Sequence, residues 1–165
     1  MKFLRVKMNQ LKTEWQKVPS PYEYLGGRAL IAKLMLEEIP PACDALGPHN
    51  KLILAPGLLG GAGVTTAGRL SIGGKSPLTN GVKESNAGGT AGDTLGKMGV
   101  KAVVVEGQPT QGNYYILYIG NKKTELLPAK EILGLGTYAT SEKLQEKYGK
   151  ECTVISIGQA GEFSM

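Results

Sequence analysis

The stretch Glu84-Ser85-Asn86-Ala87-Gly88-Gly89-Thr90-Ala91-Gly92 sets an asparagine ahead of two glycines and keeps the following side chains small. Successive main-chain N–H groups with nothing bulky over them can form a concave nest for an anion, and a helix starting just beyond adds its positive end. The Asn86 side-chain oxygen can accept from a heterocycle or ligate a hard cation such as Mg2+. Arg69 adds a forked set of donors that suits phosphate. Arg69, Asn86, Ala87, Gly88 and Gly89 are the candidate site, with Asn86 also the candidate metal ligand. The same residues fit a plain glycine-rich turn, Asn86 capping a helix and Arg69 lying on a solvated strand. Local chemistry leaves both readings open.

Two other stretches imitate anion-binding loops. Gly68 to Ser76 ends in Gly74-Lys75-Ser76, but five residues separate Gly68 from Gly74 where a Walker A loop has four. Its alternating RLSIG predicts a strand, not a phosphate loop. Gly134-Leu135-Gly136-Thr137-Tyr138-Ala139 matches GxGxxA, yet the polar PAKEIL before it is no core strand. It reads as a loop leading into a capped helix. His49 is the sole histidine and sits in a turn, Gly47-Pro48-His49-Asn50, while Cys43 and Cys152 have no CxxC partner. The segment cannot assemble a Cys/His metal site alone, and the two cysteines are expected as ordinary thiols. No catalytic residue is assigned.

The elements that must hold the candidate site follow from pattern. Residues 2–8 and 12–18 read as a hairpin about Asn9-Gln10. Ser20-Pro21-Tyr22-Glu23 has the form of a capping box opening a helix that ends at Pro40-Pro41, with Gly26-Gly27 breaking its first half. Residues 51–55, 69–73, 81–85, 101–106 and 152–157 are expected strands, and 88–98 a helix despite its glycines. Asn80-Gly81 and Gly120-Asn121 mark hairpin turns, the latter between 113–119 and 122–127. A last helix runs from Thr137 to Gly149. Strands outnumber helices and several are hairpin-linked, so the expected class is α+β rather than a repeated βαβ.

Composition narrows the function classes. The 165 residues include 24 glycines, about twice average usage, more than half of them between Gly57 and Gly99. Apolar residues continue through that region, so the glycines look positional. A net charge of +5 suits an anionic partner, but the lysines are scattered and aromatics reach only 6%, which argues against a nucleic-acid surface. No apolar run of membrane-spanning length and no signal-peptide core occurs, so the expected location is cytoplasmic, without a membrane partner. Apolar Phe163 and Met165 directly follow a glycine turn, as though another element of a longer polypeptide or a partner subunit continued there.

Read in order, LGGRALIAKLMLEEIP, ALGPHNKLILAPG, AGRLSIGGKSPLTNG, SNAGG, KMGVKAVVVEG and SIGQAGE resemble the amino-terminal domain of the aldehyde ferredoxin oxidoreductase family along essentially the whole chain. The resemblance implies a domain over 1–165 built as an α+β base of two similar mixed β-sheet subdomains with packed helices. It implies tungsten, or molybdenum in some relatives, held between two pyranopterins, and an Mg2+ bridging the pterin phosphates. A 4Fe-4S cluster would come from parts of the protein outside this chain. The implied reaction is oxidation of aldehydes to carboxylic acids with ferredoxin or another electron-transfer partner as acceptor, and a homodimer is possible in such a family. By position, Arg69, Asn86 and Gly88, with Ala87 and Gly89 beside them, correspond to the family's first-pterin contacts, and Asn86 to its Mg2+ ligand. The usual NSGG is here NAGG followed by Thr90-Ala91, and PGLLGGAG replaces a GPLTGT-type loop, so packing over the pterin is expected to differ. The fragment alone is expected to be inactive. The alternative class is a standalone anion- or nucleotide-binding module that keeps the fold without redox activity.

Overall fold

The computed structural model describes residues 1–110 and 113–163. Its amino-terminal hairpin joins β1 (Lys2–Lys7) and β2 (Lys12–Lys17) antiparallel, with Lys7 opposite Lys12. The remaining strands are β3 (Lys51–Pro56), β4 (Leu70–Lys75), β5 (Val82–Ala87) and β6 (Val100–Glu106), giving one six-stranded sheet ordered β2-β1-β6-β3-β4-β5. Only β1 and β6 run parallel in it, so the sheet is mixed. Strands β7 (Tyr115–Ile119) and β8 (Thr124–Pro128) form a separate two-stranded sheet. The class is α+β with a mixed sheet, and the two sheets are of unequal size, six strands and two.

Residues 100–104 are buried without alternation because both faces of β6 are covered. Helix α1 (Gly27–Glu38) packs Leu30, Ile31 and Leu34 onto Phe3, Ile53, Ala55, Ala102 and Val104. On the opposite face, Leu95 of α2 (Ala91–Lys97) meets Leu4, Leu70, Val100 and Val103, with Leu117, Ile119 and Leu126 of the β7–β8 hairpin beside them. Helices α3 (Thr137–Tyr148) and α4 (Gly158–Glu162) complete the chain. Gly149, at φ 107°, ends α3 as its position in the sequence predicts.

Several expectations need correction. Ser20–Tyr22 forms a single 3-10 turn with no side-chain cap, and α1 begins at Gly27. The chain turns there because Gly27 takes φ +51° and Gly26 lies so close to the main chain of Leu58 that a Cβ would sit 2.4 Å from its nitrogen. Residues 152–157 form no strand: they lie against α2, where the Thr153 hydroxyl contacts those of Thr90 at 2.9 Å and Thr94 at 3.5 Å. The edges of the large sheet are β2 and β5, and this segment pairs with neither. Strand β5 continues through Ala87 and α2 starts three residues later than expected, so Asn86 is a strand residue and no helix cap. The second hairpin closes over four residues, with Gly120 N–H donating to Lys123 O at 2.9 Å. Residues 111 and 112 lie outside the described residues.

At the end of the sheet where β3 begins, four charges form a partly buried network. Arg5 holds Glu38 through two bonds of 2.5 and 2.6 Å, Lys51 stands 3.4 Å from Glu38 and pairs with Glu106, and Arg5 lies 3.7 Å from Glu106. Burial by itself would raise the Glu38 pKa, but the bonds and charge of Arg5, together with Lys51, outweigh it and hold the carboxyl below its ordinary value. A depressed folded-state pKa contributes stability above the unfolded value of about 4.3 that is lost as pH falls through the folded one. Glu38→Gln should therefore flatten the decline in urea midpoint between about pH 5 and 3. An unchanged acid slope would show that Glu38 carries none of it.

Candidate functional site

One end of the sheet collects the candidate residues. Strand β3 leaves into the loop 57–68, Arg69 leads into β4, Asn86 and Ala87 close β5, and Gly88–Thr90 connect to α2. Because β4 and β5 pair with Leu70 opposite Ala87 and Ser71 opposite Asn86, Arg69 comes beside Asn86 at the strand ends. The guanidinium Nε donates to Asn86 Oδ1, and Nη2 donates to the Asn86 main-chain oxygen at 3.3 Å. Asn86 Nδ2 donates to Ser71 Oγ at 3.0 Å. The asparagine is thus oriented from both sides, and the Nη1 edge of Arg69 is left facing Gly88, 3.6 Å from where a Cβ would stand. Arg69, Asn86, Ala87, Gly88 and Gly89 are all exposed.

The glycines divide into two kinds. Gly61, Gly92 and Gly96 let main chain touch main chain: a Cβ at Gly96 would sit 2.1 Å from Gly60 O, one at Gly61 2.3 Å from Lys97 N, and one at Gly92 2.6 Å from Gly68 O. They clasp the loop 57–68 to α2, and Asp93 Oδ1 fastens it by accepting from Gly61 N–H at 3.1 Å. Gly89 is different. It takes φ +101°, and nothing lies within 4 Å of its missing Cβ. Gly88 meets only Arg69 Nη1. At 88–89 the bareness serves no internal contact, so the main chain there is open to an outside molecule.

Neither rival stretch takes the form of a phosphate loop, although α3 begins without the side-chain cap expected of it. Residues 70–75 are strand β4, and the buried Lys75 donates to the main-chain oxygens of Pro41 at 2.6 Å and Cys43 at 2.5 Å, so it holds a loop and faces no ligand. Gly134 N–H already donates to the Glu162 carboxylate at 2.7 Å, and Gly136 is the flanking residue of α3. Among the described residues, no group of three His, Cys, Asp or Glu side chains could hold a metal ion, and both cysteines are free thiols. No described helix is long and apolar enough to cross a membrane. Sequence reasoning missed Ser71 and Asp93. Ser71, 2% exposed in a strand of apolar and small residues and in phase with Arg69, was the readable signal; Asp93 reveals itself only through the loop it fastens.

The fold and this surface define a class: an α+β base with an uncovered stretch of main chain at one end of its mixed sheet and, among the described residues, no cluster of three His, Cys, Asp or Glu side chains. The family model of the aldehyde ferredoxin oxidoreductase N-terminal domain matches residues 3–165, and the chain belongs to that family. It is 36% identical over 164 residues to the tungsten-containing aldehyde ferredoxin oxidoreductases of Pyrococcus furiosus and Thermococcus kodakarensis, covering 98% of this chain and 27% of each of theirs. The active-site complex BamBC of benzoyl coenzyme A reductase, solved with 1,5-dienoyl-CoA, superposes with a TM-score of 0.80 at 30% identity, covering 88% of this chain and 22% of that one. The chain therefore spans about a quarter of the length of the relatives it matches.

Proposed function

We propose that this chain is the pterin-holding base of a tungsten or molybdenum oxidoreductase that converts aldehydes to carboxylic acids and passes electrons to ferredoxin or a similar acceptor. The observation that carries the reading is the uncovered main chain at Gly88–Gly89 beside the free Nη1 edge of Arg69. A flat, phosphorylated heterocycle needs close main-chain approach and a cation for its phosphate, and this surface offers both. The residues fit the group. Arg69 would take the phosphate through Nη1, Gly88 and Gly89 would admit the ring edge, and Ala87 keeps the approach low. Asn86 would present its amide. Its Oδ1 keeps a second lone pair after accepting from Arg69, and that lone pair would let Asn86 ligate an Mg2+ beside the phosphate. Bound there, the metal pterin would supply the two-electron oxidation. The contribution of this chain is orientation, by the Arg69–Asn86–Ser71 chain of bonds, and neutralisation of phosphate charge.

The 4Fe-4S cluster, the substrate pocket, the ferredoxin contact and any homodimer interface fall to parts beyond these residues, in keeping with the share of the relatives that the chain covers. The test uses the longest native polypeptide that carries this chain, purified without oxygen. Arg69→Ala and Asn86→Ala remove exposed side chains, so unfolding should be unchanged while pterin affinity falls about tenfold for each, the scale of a lost charge-assisted bond. Metal analysis and pterin release read the outcome. Full tungsten or molybdenum content in both variants would end the reading.

A further inference from the structure

Lys101 is the one residue of β6 that the neighbouring strand does not match. Lys2 pairs with Val100 and Phe3 with Ala102, so the register steps over Lys101. Val100 belongs to the core under α2 and Ala102 to the core under α1, and a bulge between such residues re-aims the extra side chain. Lys101 is 4% exposed, and its Nζ donates to Glu23 O at 2.8 Å. An ammonium has three donors; among the described residues this is its single hydrogen bond, and the Glu23 carboxylate acts on it only through space. The side chain lines a cavity of about 330 Å³ with Met1, Lys17, Val18 and Glu23, at the lower end of small-molecule sites. That cavity lies at the same end of the sheet as Arg69 and Asn86, because β6 sits two places from β4 and its first residues face the end of β3.

We propose that this cavity captures small aldehydes, with the Lys101 amine forming a reversible imine. The Nζ lone pair adds to the carbonyl carbon, and a proton passes from nitrogen to the former carbonyl oxygen. The hydroxyl then leaves as water while the C=N bond forms. Amine and aldehyde give imine and water, with no net redox change. Burial lowers the Lys101 pKa, and the Glu23 carboxylate only partly opposes it, so the nucleophilic neutral amine is more populated than in an exposed lysine. A phosphate or carboxylate ligand would instead call for the ammonium. The other charged groups at the cavity are Lys17, the Met1 amino group and Glu23 itself, and solvent in the open cavity carries the proton during loss of water. Val18 and the Lys17 stem supply apolar lining for a short alkyl chain. The choice of an aldehyde rests on the reaction proposed above, while the cavity and its lysine are distinct from the Arg69–Gly89 surface, so the adduct at Lys101 and the metal content of the Arg69 and Asn86 variants can fail separately.

The experiment treats the longest native polypeptide with propanal and cyanoborohydride near pH 7 for short times and maps the reduced adducts by peptide mass spectrometry. Lys101 should be alkylated several-fold faster than the exposed Lys2, Lys12 and Lys150, and the Met1 amine is scored separately by fragmentation. Lys101→Arg should keep a donor to Glu23 O and the fold while its peptide loses the adduct. Lys101 alkylated no faster than the exposed lysines, or left unmodified, overturns the proposal. So does protection of the wild-type amine by inorganic phosphate without an adduct, which would make the cavity an anion site.

Discussion

On the pterin reading, Gly88→Leu is expected to leave thermal unfolding of the metal-free native polypeptide unchanged while abolishing its metal loading, and Gly96→Leu is expected to damage the fold first. The same side chain is added at two glycines only eight positions apart. At Gly88 the nearest atom to a new Cβ is Arg69 Nη1 at 3.6 Å, an ordinary contact with the mobile end of an exposed side chain. Four carbons placed there occupy the approach to the bare main chain and obstruct Nη1. At Gly96 the first carbon alone would stand 2.1 Å from Gly60 O and 2.3 Å from its carbonyl carbon, both main chain. Helix propensity would gain about 1 kcal/mol from replacing glycine, too little against overpacking of about 1–3 kcal/mol that also pushes the loop 57–68 away. Differential scanning calorimetry with metal analysis separates the two. Full metal content in a folded Gly88→Leu protein would mean that nothing docks at that surface; an unshifted transition for Gly96→Leu would mean that the loop is not clasped as described.

That contrast also shows what the sequence could and could not convey. The density of glycine between residues 57 and 99 was legible, and so was the need for close main-chain approach. Which partner approaches was not. Gly61 and Gly96 meet across a distance of 35 residues, and only tertiary geometry reveals that this pair serves packing while 88–89 face outward. Hairpins were readable from strand period, although their loops are longer than the turn dipeptides predict, and the run KAVVVE and α3 were readable from apolar pattern and the closing Gly149. The misreading at Ser20 had the right cap residues but lacked knowledge of Leu58, whose main chain presses on Gly26 and delays the helix. CTVISI has strand propensity, yet it pairs with no sheet edge, and propensity yields to context. Arg69 and Asn86 were selected by residue type and motif order; that they bond each other, with Ser71 behind, follows from the β4–β5 register.

Glu38→Ala should be the most damaging charge removal in the chain. Glu38 accepts both prongs of Arg5 and stands 3.4 Å from Lys51, so its loss leaves two cations facing Glu106 alone. The four side chains are 12–22% exposed, which lets some water in; the cost is about 2–3 kcal/mol, below the 3–5 typical of a fully buried pair broken on one side. Hydrogen exchange in the native polypeptide should show the loss as faster opening of β1, β3 and β6, the strands that carry Arg5, Lys51 and Glu106. Lys97→Ala breaks a pair whose lysine is 63% exposed and should leave these strands alone. Replacing Arg5 and Glu38 together by Met and Leu should recover most of the protection, because the penalty lies in the uncompensated charge and not in the missing attraction. If Glu38→Ala exchanges like the wild type, water already screens the network, and it contributes no more than a surface pair.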